Sequence, residues 1–196
     1  MKNLTRILFL ASLALGLLAP ARAAVETYAI DPVHSTIQFS LRHIISRFTG
    51  SFTKVSGTIT VDRANLENSS VVATIDVASL NTANDKRNDD LKGPSYFDLA
   101  KYTTMTFKST AWKKTGEDMF DVTGNLTIKD VTKAVVLQVK LLGFSPGMRP
   151  GVMLSGWEVV TTIKKSEFNV SGPAMLAKAL GNEVTINIGV EADLQK

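Results

Sequence analysis

Residues 30–61, IDPVHSTIQFSLRHIISRFTGSFTKVSGTITV, hold an alternating strand, a connector and a second alternating strand. Ile37, Phe39 and Leu41 fall at every second position with polar residues between them, the period of a strand with one buried face. Val55, Ile59 and Val61 repeat the pattern with Gly57 in register. Between the two runs lie His43, Ile44, Ile45, Phe48 and Phe52, too apolar for a plain surface loop, and Gly50 offers backbone freedom to turn. This connector is the first candidate for a ligand entrance.

Upstream, Lys2 and Arg6 precede an apolar run over residues 7–18, and Ala21-Arg22-Ala23 is an A-x-A box. That order predicts a signal peptide over residues 1–23, cleaved after Ala23; a membrane anchor would need about 20 apolar residues. An exported, soluble domain over residues 24–196 is expected. Cleavage leaves 19 basic residues (22 less Lys2, Arg6 and Arg22) against 18 acidic. No block of like charge remains, which argues against nucleic-acid binding. Cysteine is absent, so disulfides and thiol chemistry are excluded.

Downstream the alternation recurs at short intervals. Val71, Ala73, Ile75 and Val77 share a face, as do Phe120, Val122, Gly124, Leu126 and Ile128, and then Val135, Leu137, Val139 and Leu141. Met105, Phe107 and Ala111 share one face of another strand with Trp112 on the other, and Met153, Ser155, Trp157, Val159, Thr161 and Ile163 line a further one. Residues 184–194 form the last. Residues 82–102 break the period and read as one or two short helices, a lid or plug. PAMLAKALG, from Pro173 to Gly181, reads as a short capped helix.

About eight strands joined by hairpin-length loops close most economically as an antiparallel barrel, with a β-sandwich as runner-up. At eight strands the interior is either filled by side chains or holds one small ligand.

Catalytic chemistry is sparse. His34 and His43 do not have metal-ligand spacing, and a structural role fits each. Gly143-Phe144-Ser145-Pro146-Gly147 matches G-x-S-x-G, yet another strand follows and no histidine lies downstream. Asp85, Asp89 and Asp90 fit a solvated helix face. In contrast, Phe48, Phe52, Tyr96, Phe97, Trp157, Phe168 and Met175 are large apolar groups that could line a pocket together, or be core individually.

The order of motifs resembles the YceI-like family of periplasmic lipid- or polyisoprenoid-binding proteins. The matching pieces are Tyr28-Ala29-Ile30-Asp31-Pro32-Val33-His34-Ser35 running into Phe39; His43; Gly50-Ser51-Phe52; Arg87 with Leu91; Tyr96-Phe97-Asp98; Met105-Thr106-Phe107-Lys108-Ser109; Gly124 to Lys129; and Lys165-Ser166-Glu167-Phe168. The resemblance implies an all-β fold with short helical insertions: an extended, eight-stranded lipocalin-like barrel with an apolar pocket. It implies a carrier and not an enzyme, with no cofactor beyond a bound isoprenoid quinone, polyprenyl phosphate or fatty amphiphile. The partner is then an amphiphilic lipid met through transient membrane contact without stable insertion, by a monomer or homodimer.

The resemblance further implies His34, His43, Arg87 and Lys165 as polar contacts or lid supports, beside the apolar candidates and the motif residues Phe39, Leu91 and Phe107. Two departures bear on the head group. Arg87-Asn88-Asp89-Asp90-Leu91 replaces an Arg-Asp-x-His-Leu run, and Lys165 stands where arginine is usual; lysine is a point charge without arginine's bidentate fork. The other reading is a structural or stress-related envelope protein whose barrel is filled by its own side chains.

Overall fold

A strand whose apolar residues recur at every second position can bury one face only, and tight turns between such strands pair them antiparallel. The computed structural model describes residues 25–196. The predicted signal peptide falls outside them.

The strands are β1 (Val25–Ile30), β2 (Thr36–His43), β3 (Ser46–Phe52), β4 (Val55–Asp62), β5 (Ser70–Asp76), β6 (Leu80–Asn81), β7 (Thr104–Gly116), β8 (Met119–Ile128), β9 (Val131–Pro146), β10 (Met153–Lys164) and β11 (Leu180–Leu194). All belong to one antiparallel sheet, and β1 pairs with both β4 and β11, which closes it into a ring. The expected barrel forms; the sandwich does not.

Three staves of this barrel are interrupted. β1 and β2 lie on the same edge of β11, with Tyr28 opposite Leu194 and Ile37 opposite Ile188. β3 and β4 likewise run on from one another, as do β5 and β6 around a 3₁₀ turn at Val77–Ser79. Eleven strands among the described residues therefore make eight staves.

The break in the first stave is built from the Asp-Pro-Val-His-Ser motif. Pro32 has no N–H to give a ladder. Asp31 Oδ1 accepts from the Val33 backbone N–H at 2.7 Å, forming the turn. Buried Ser35 then donates its hydroxyl to the Glu191 carbonyl at 3.1 Å and accepts from the Glu191 N–H at 3.2 Å. The Glu191 carbonyl also accepts from the Asp31 backbone N–H at 2.9 Å, so it is the Glu191 N–H that depends on the Ser35 side chain where the strand is missing.

Several sequence expectations are corrected. The 44–52 connector is strand β3, joined to β2 by Ile44 and Ile45 alone. Gly50 does not turn the chain: it faces Phe39 in the ladder, and a Cβ there would meet the Phe39 ring and lie 2.8 Å from the Thr82 methyl. Its lack of a side chain makes room for the phenyl ring. Trp112 points inward, because the register shifts between Ser109 and Ala111 and the extra residue inverts the alternation. Ala111 is exposed instead.

The lid is one helix, α1 (Asp85–Lys92), capped by the Asn84 side chain accepting from the Arg87 N–H at 2.9 Å. After Gly93-Pro94 the chain continues as turns, tied back by Phe97 N–H to Leu91 O (3.0 Å) and Leu99 N–H to Lys92 O (2.9 Å). The 173–181 segment is a 3₁₀ turn at Ala174–Leu176, and β11 already begins at Leu180. Pairing of Leu180 with His43 overrides the local helical pattern there.

Replacing Ser35 with alanine removes the partner of the half-buried Glu191 N–H, while the Glu191 carbonyl keeps the Asp31 N–H. The expected cost is about 1–3 kcal/mol, read by urea denaturation; an unchanged midpoint would show that Ser35 does not hold this seam.

Candidate functional site

Inward alternation from all eight staves meets over a cavity of about 230 Å³. Its lining is almost entirely aliphatic and aromatic. Thr161, Lys165 and the Tyr96 hydroxyl are its polar side-chain groups apart from the indole nitrogens, and Lys165 is the one charged group among the lining residues. An apolar cavity of roughly 150 Å³ already takes up benzene. The second reading of the sequence, a barrel filled by its own side chains, does not describe this interior.

The cavity is elongated. Along β10 its wall runs from Trp157 through Val159 and Thr161 to Ile163, seven residues or roughly 20 Å of strand. The two ends differ in chemistry.

At the first end the aromatic rings of Trp112 and Trp157 meet edge to face at 5.7 Å. Phe120 packs on Trp112 at 5.9 Å, and Phe144 joins Trp157 to Tyr28 at 6.2 and 5.9 Å. Arg63 covers the Phe144 ring at 4.0 Å and donates to the Tyr28 hydroxyl at 2.7 Å. That hydroxyl donates to Glu26, which also pairs with Arg63. Burial, with the Glu26 carboxylate beside it, holds the Tyr28 phenol above its ordinary range. This plug was not anticipated from the sequence, where Phe144 sat in an apparent loop motif. Ser145 stands in extended strand β9, not in a strand-to-helix elbow, and its hydroxyl bonds the neighbouring Pro146 carbonyl.

At the other end the wall is closed by the lid. Phe97 stands edge-on to Phe52 at 5.6 Å, Phe52 packs on Phe39 at 5.7 Å, and Phe39 meets Phe48 at 6.5 Å. Leu91, Tyr96, Phe168 and Leu180 complete this rim with Lys165. The Lys165 ammonium donates to the Ser171 carbonyl at 2.8 Å, and burial pushes its pKa down. Burial also raises the Tyr96 phenol.

Of the residues singled out from sequence, Phe39, Phe48, Phe52, Leu91, Tyr96, Phe97, Phe107, Trp157, Lys165 and Phe168 are brought together on this cavity. Four are not. Arg87 lies outside the wall, its guanidinium 5.1 Å over the Phe48 ring and bonded to Thr82 through the hydroxyl (2.9 Å) and carbonyl (2.7 Å). It supports the lid. Met175 is 87% exposed, and His43 is exposed at the end of β2. Trp112 and Leu180 are lining residues that the alternation misplaced or left out.

His34 belongs to the barrel seam. Its Nδ1 lies 2.7 Å from Asp31 and 3.7 Å from Glu191, on the outer surface. The ligating atoms of these three residues fall within 4.8 Å of one another. The hydrogen bonds of the seam account for the grouping without a metal. The bond to Asp31 raises the His34 pKa above its ordinary 6.5, and the same bond, with the Val33 N–H, lowers Asp31 below its ordinary 3.8.

The signs follow from linkage. The His34 contribution is complete below pH 6.5 and is lost as pH rises through the elevated value; the Asp31 contribution is complete above 3.8 and is lost on acidification. Seam stability is therefore greatest between these limits. In an NMR titration Asp31→Asn should bring the His34 pKa down toward 6.5; an unmoved value would sink the pairing.

Comparison with known proteins places these features. Residues 28–192 match the YceI-like domain model. A UPF0312 protein of Ectopseudomonas mendocina is 35% identical over 181 residues, 89% of this chain and 92% of the relative. Protein YceI of Salmonella newport is 35% identical over 192 residues, 94% of this chain and 96% of the relative. Among solved structures, Burkholderia cenocepacia BcnA superposes with a TM-score of 0.73 at 28% identity, covering 83% of this chain and 99% of BcnA. A polyisoprenoid binding domain from Saccharophagus degradans implicated in plant cell wall breakdown shares the fold, with a TM-score of 0.64 at 18% identity over 86% and 98% of the two chains.

Proposed function

The chain belongs to the YceI-like domain family, and from that premise we propose that it is an exported, periplasmic carrier that holds the apolar chain of an isoprenoid or other amphiphile inside its barrel. The observation that carries the reading is an elongated apolar cavity with a single charged residue in its lining, at the lid end. The signal-like segment over residues 1–23 supports export. A polyisoprenoid-binding domain among the structures that share this fold supports the class of ligand, and a binding protein rather than an enzyme fits both family and cavity.

Each buried CH₂ contributes about 0.8 kcal/mol, so ten of them supply about 8 kcal/mol before ordering costs. That scale corresponds to micromolar affinity without any polar anchor. The tail is thus the main source of binding, and the head group is oriented at the lid end by Lys165. A lone lysine without a bidentate fork matches a carboxylate, amide or quinone oxygen better than a diphosphate, which calls for several cations or donors.

Native mass spectrometry of the mature protein from its own periplasm tests the proposal. A discrete adduct that organic extraction removes is expected, and its mass identifies the ligand. Ala73→Phe, which places a ring in the cavity from a small wall position, should cut adduct occupancy at least tenfold while the thermal melt moves only a few degrees. Bare protein that also fails to take up added quinones, polyprenyl lipids and fatty acids would end the carrier reading.

A further inference from the structure

The hairpin joining β2 to β3 turns on Ile44 and Ile45, and Ile44 has φ +52°. A positive φ at the first position of a two-residue hairpin favours glycine, and it is least suited to a β-branched side chain. The turn nevertheless projects two isoleucines, 56% and 98% exposed. Nothing in the packing of the barrel requires them.

They are not alone. The Ile44 N–H donates to the Ala179 carbonyl at 2.7 Å, which ties this turn to the 172–182 loop, where Met175 and Leu176 are also exposed. Two separate loops thus present four large apolar side chains in one lip. Leu41, Phe48 and Leu180, which adjoin the lip in sequence, line the cavity.

The charge carried by these two segments is of one sign. Residues 42–47 and 172–182 contain Arg42, Arg47 and Lys178 and no carboxylate; the next acid along β11, Glu183, stands opposite Lys164. Exposed apolar tips flanked by cationic side chains match the two components of an interfacial membrane site, an acyl boundary below and anionic head groups around it.

We propose that Ile44, Ile45, Met175 and Leu176 form a docking lip that seats the lid end of the barrel on an anionic lipid surface. The apolar tips enter the interface while Arg42, Arg47 and Lys178 meet the head groups. No helix of the described residues is long and apolar enough to cross a membrane, and this lip makes a peripheral contact only. The site lies on the outside of the barrel and stands whether or not the cavity carries cargo.

Co-sedimentation of the purified mature protein with vesicles of phosphatidylcholine alone, or mixed with phosphatidylglycerol, tests the lip. Binding is expected on the mixed vesicles, weakening as salt rises. The Ile45→Asp/Met175→Asp variant should lose tenfold or more of it with an unchanged melt, and Arg42→Ser/Arg47→Ser/Lys178→Ser should lose the preference for phosphatidylglycerol. Met148→Asp, at an equally exposed methionine in the β9–β10 turn, should behave as wild type. Adduct occupancy measured in parallel should be the same in the lip variants, which separates this inference from the carrier reading. Equal binding by the Ile45→Asp/Met175→Asp variant, or no preference for the anionic vesicles, would overturn it. So would a wild-type dimer that this variant splits without any vesicle binding, since the lip would then be a self-association surface.

Discussion

Closure of the sheet along β11 is the constraint on which the rest of the molecule depends. An open eight-stave sheet would expose two rows of unpaired backbone groups, and its inward face would have nothing to enclose. β11 meets two short strands on one edge, and the gap between them falls at Pro32, a residue that cannot contribute to a ladder. The Asp31 N–H and the Ser35 hydroxyl between them satisfy the Glu191 carbonyl and N–H, and the Asp31 carboxylate holds the turn that brings Ser35 there. The Asp-Pro-Val-His-Ser stretch is thereby a seam, and its histidine faces away from the cavity.

Once closed, eight staves leave an interior that this sequence does not fill. Unfilled volume forfeits packing contacts that a filled core would make, and here it amounts to about 230 Å³. The residues that shape the void are not small by accident of composition: Gly50 and Gly124 each lie under a phenyl ring, of Phe39 and Phe107, that an added Cβ would displace. Large rings are laid flat over glycines along the wall, while the tryptophans gather at one end. The result is a tube with a closed foot and a lined wall. An apolar guest would recover packing that the chain's own side chains forgo.

Period-two alternation made most of this legible in the sequence. The inward residues of β8, β9 and β10 are those that alternation marks, and the stave count and closure follow from them. Alternation fails where a bulge adds a residue, which is why it puts Trp112 on the wrong face. It also fails where tertiary pairing overrides a local pattern, as at Leu180, and where apolar residues in a strand resemble a buried loop, as in β3. The candidate site divides along the same line. Large apolar residues could be placed on the cavity because their strand faces were readable. Of the polar candidates Lys165 reaches the cavity, while His34 and Arg87 are held by Asp31 and Thr82, and sequence spacing does not reveal which side of the wall a long polar side chain occupies.

The ladder itself is uneven, and the unevenness falls at one end. β9, β10 and β11 pair over many consecutive residues, whereas β6 is held to β3 by two residue pairs, at Ser51–Asn81 and Phe52–Leu80. Beyond that point the far half of β3 has β2 as its strand neighbour, and the lid beside it is fixed by the Thr82 N–H donating to the Asn88 side chain, by Arg87 donating to the Thr82 hydroxyl and by the Phe52–Phe97 contact. Segments with few ladder bonds open at lower free energy than the sheet they adjoin. The foot, by contrast, combines interlocked aromatic rings with the Arg63–Tyr28–Glu26 network. On the proposed carrier reading one end must yield to a long chain while the seam stays shut, and the sparser ladder bonds favour the lid end, where Lys165 and the apolar lip also lie.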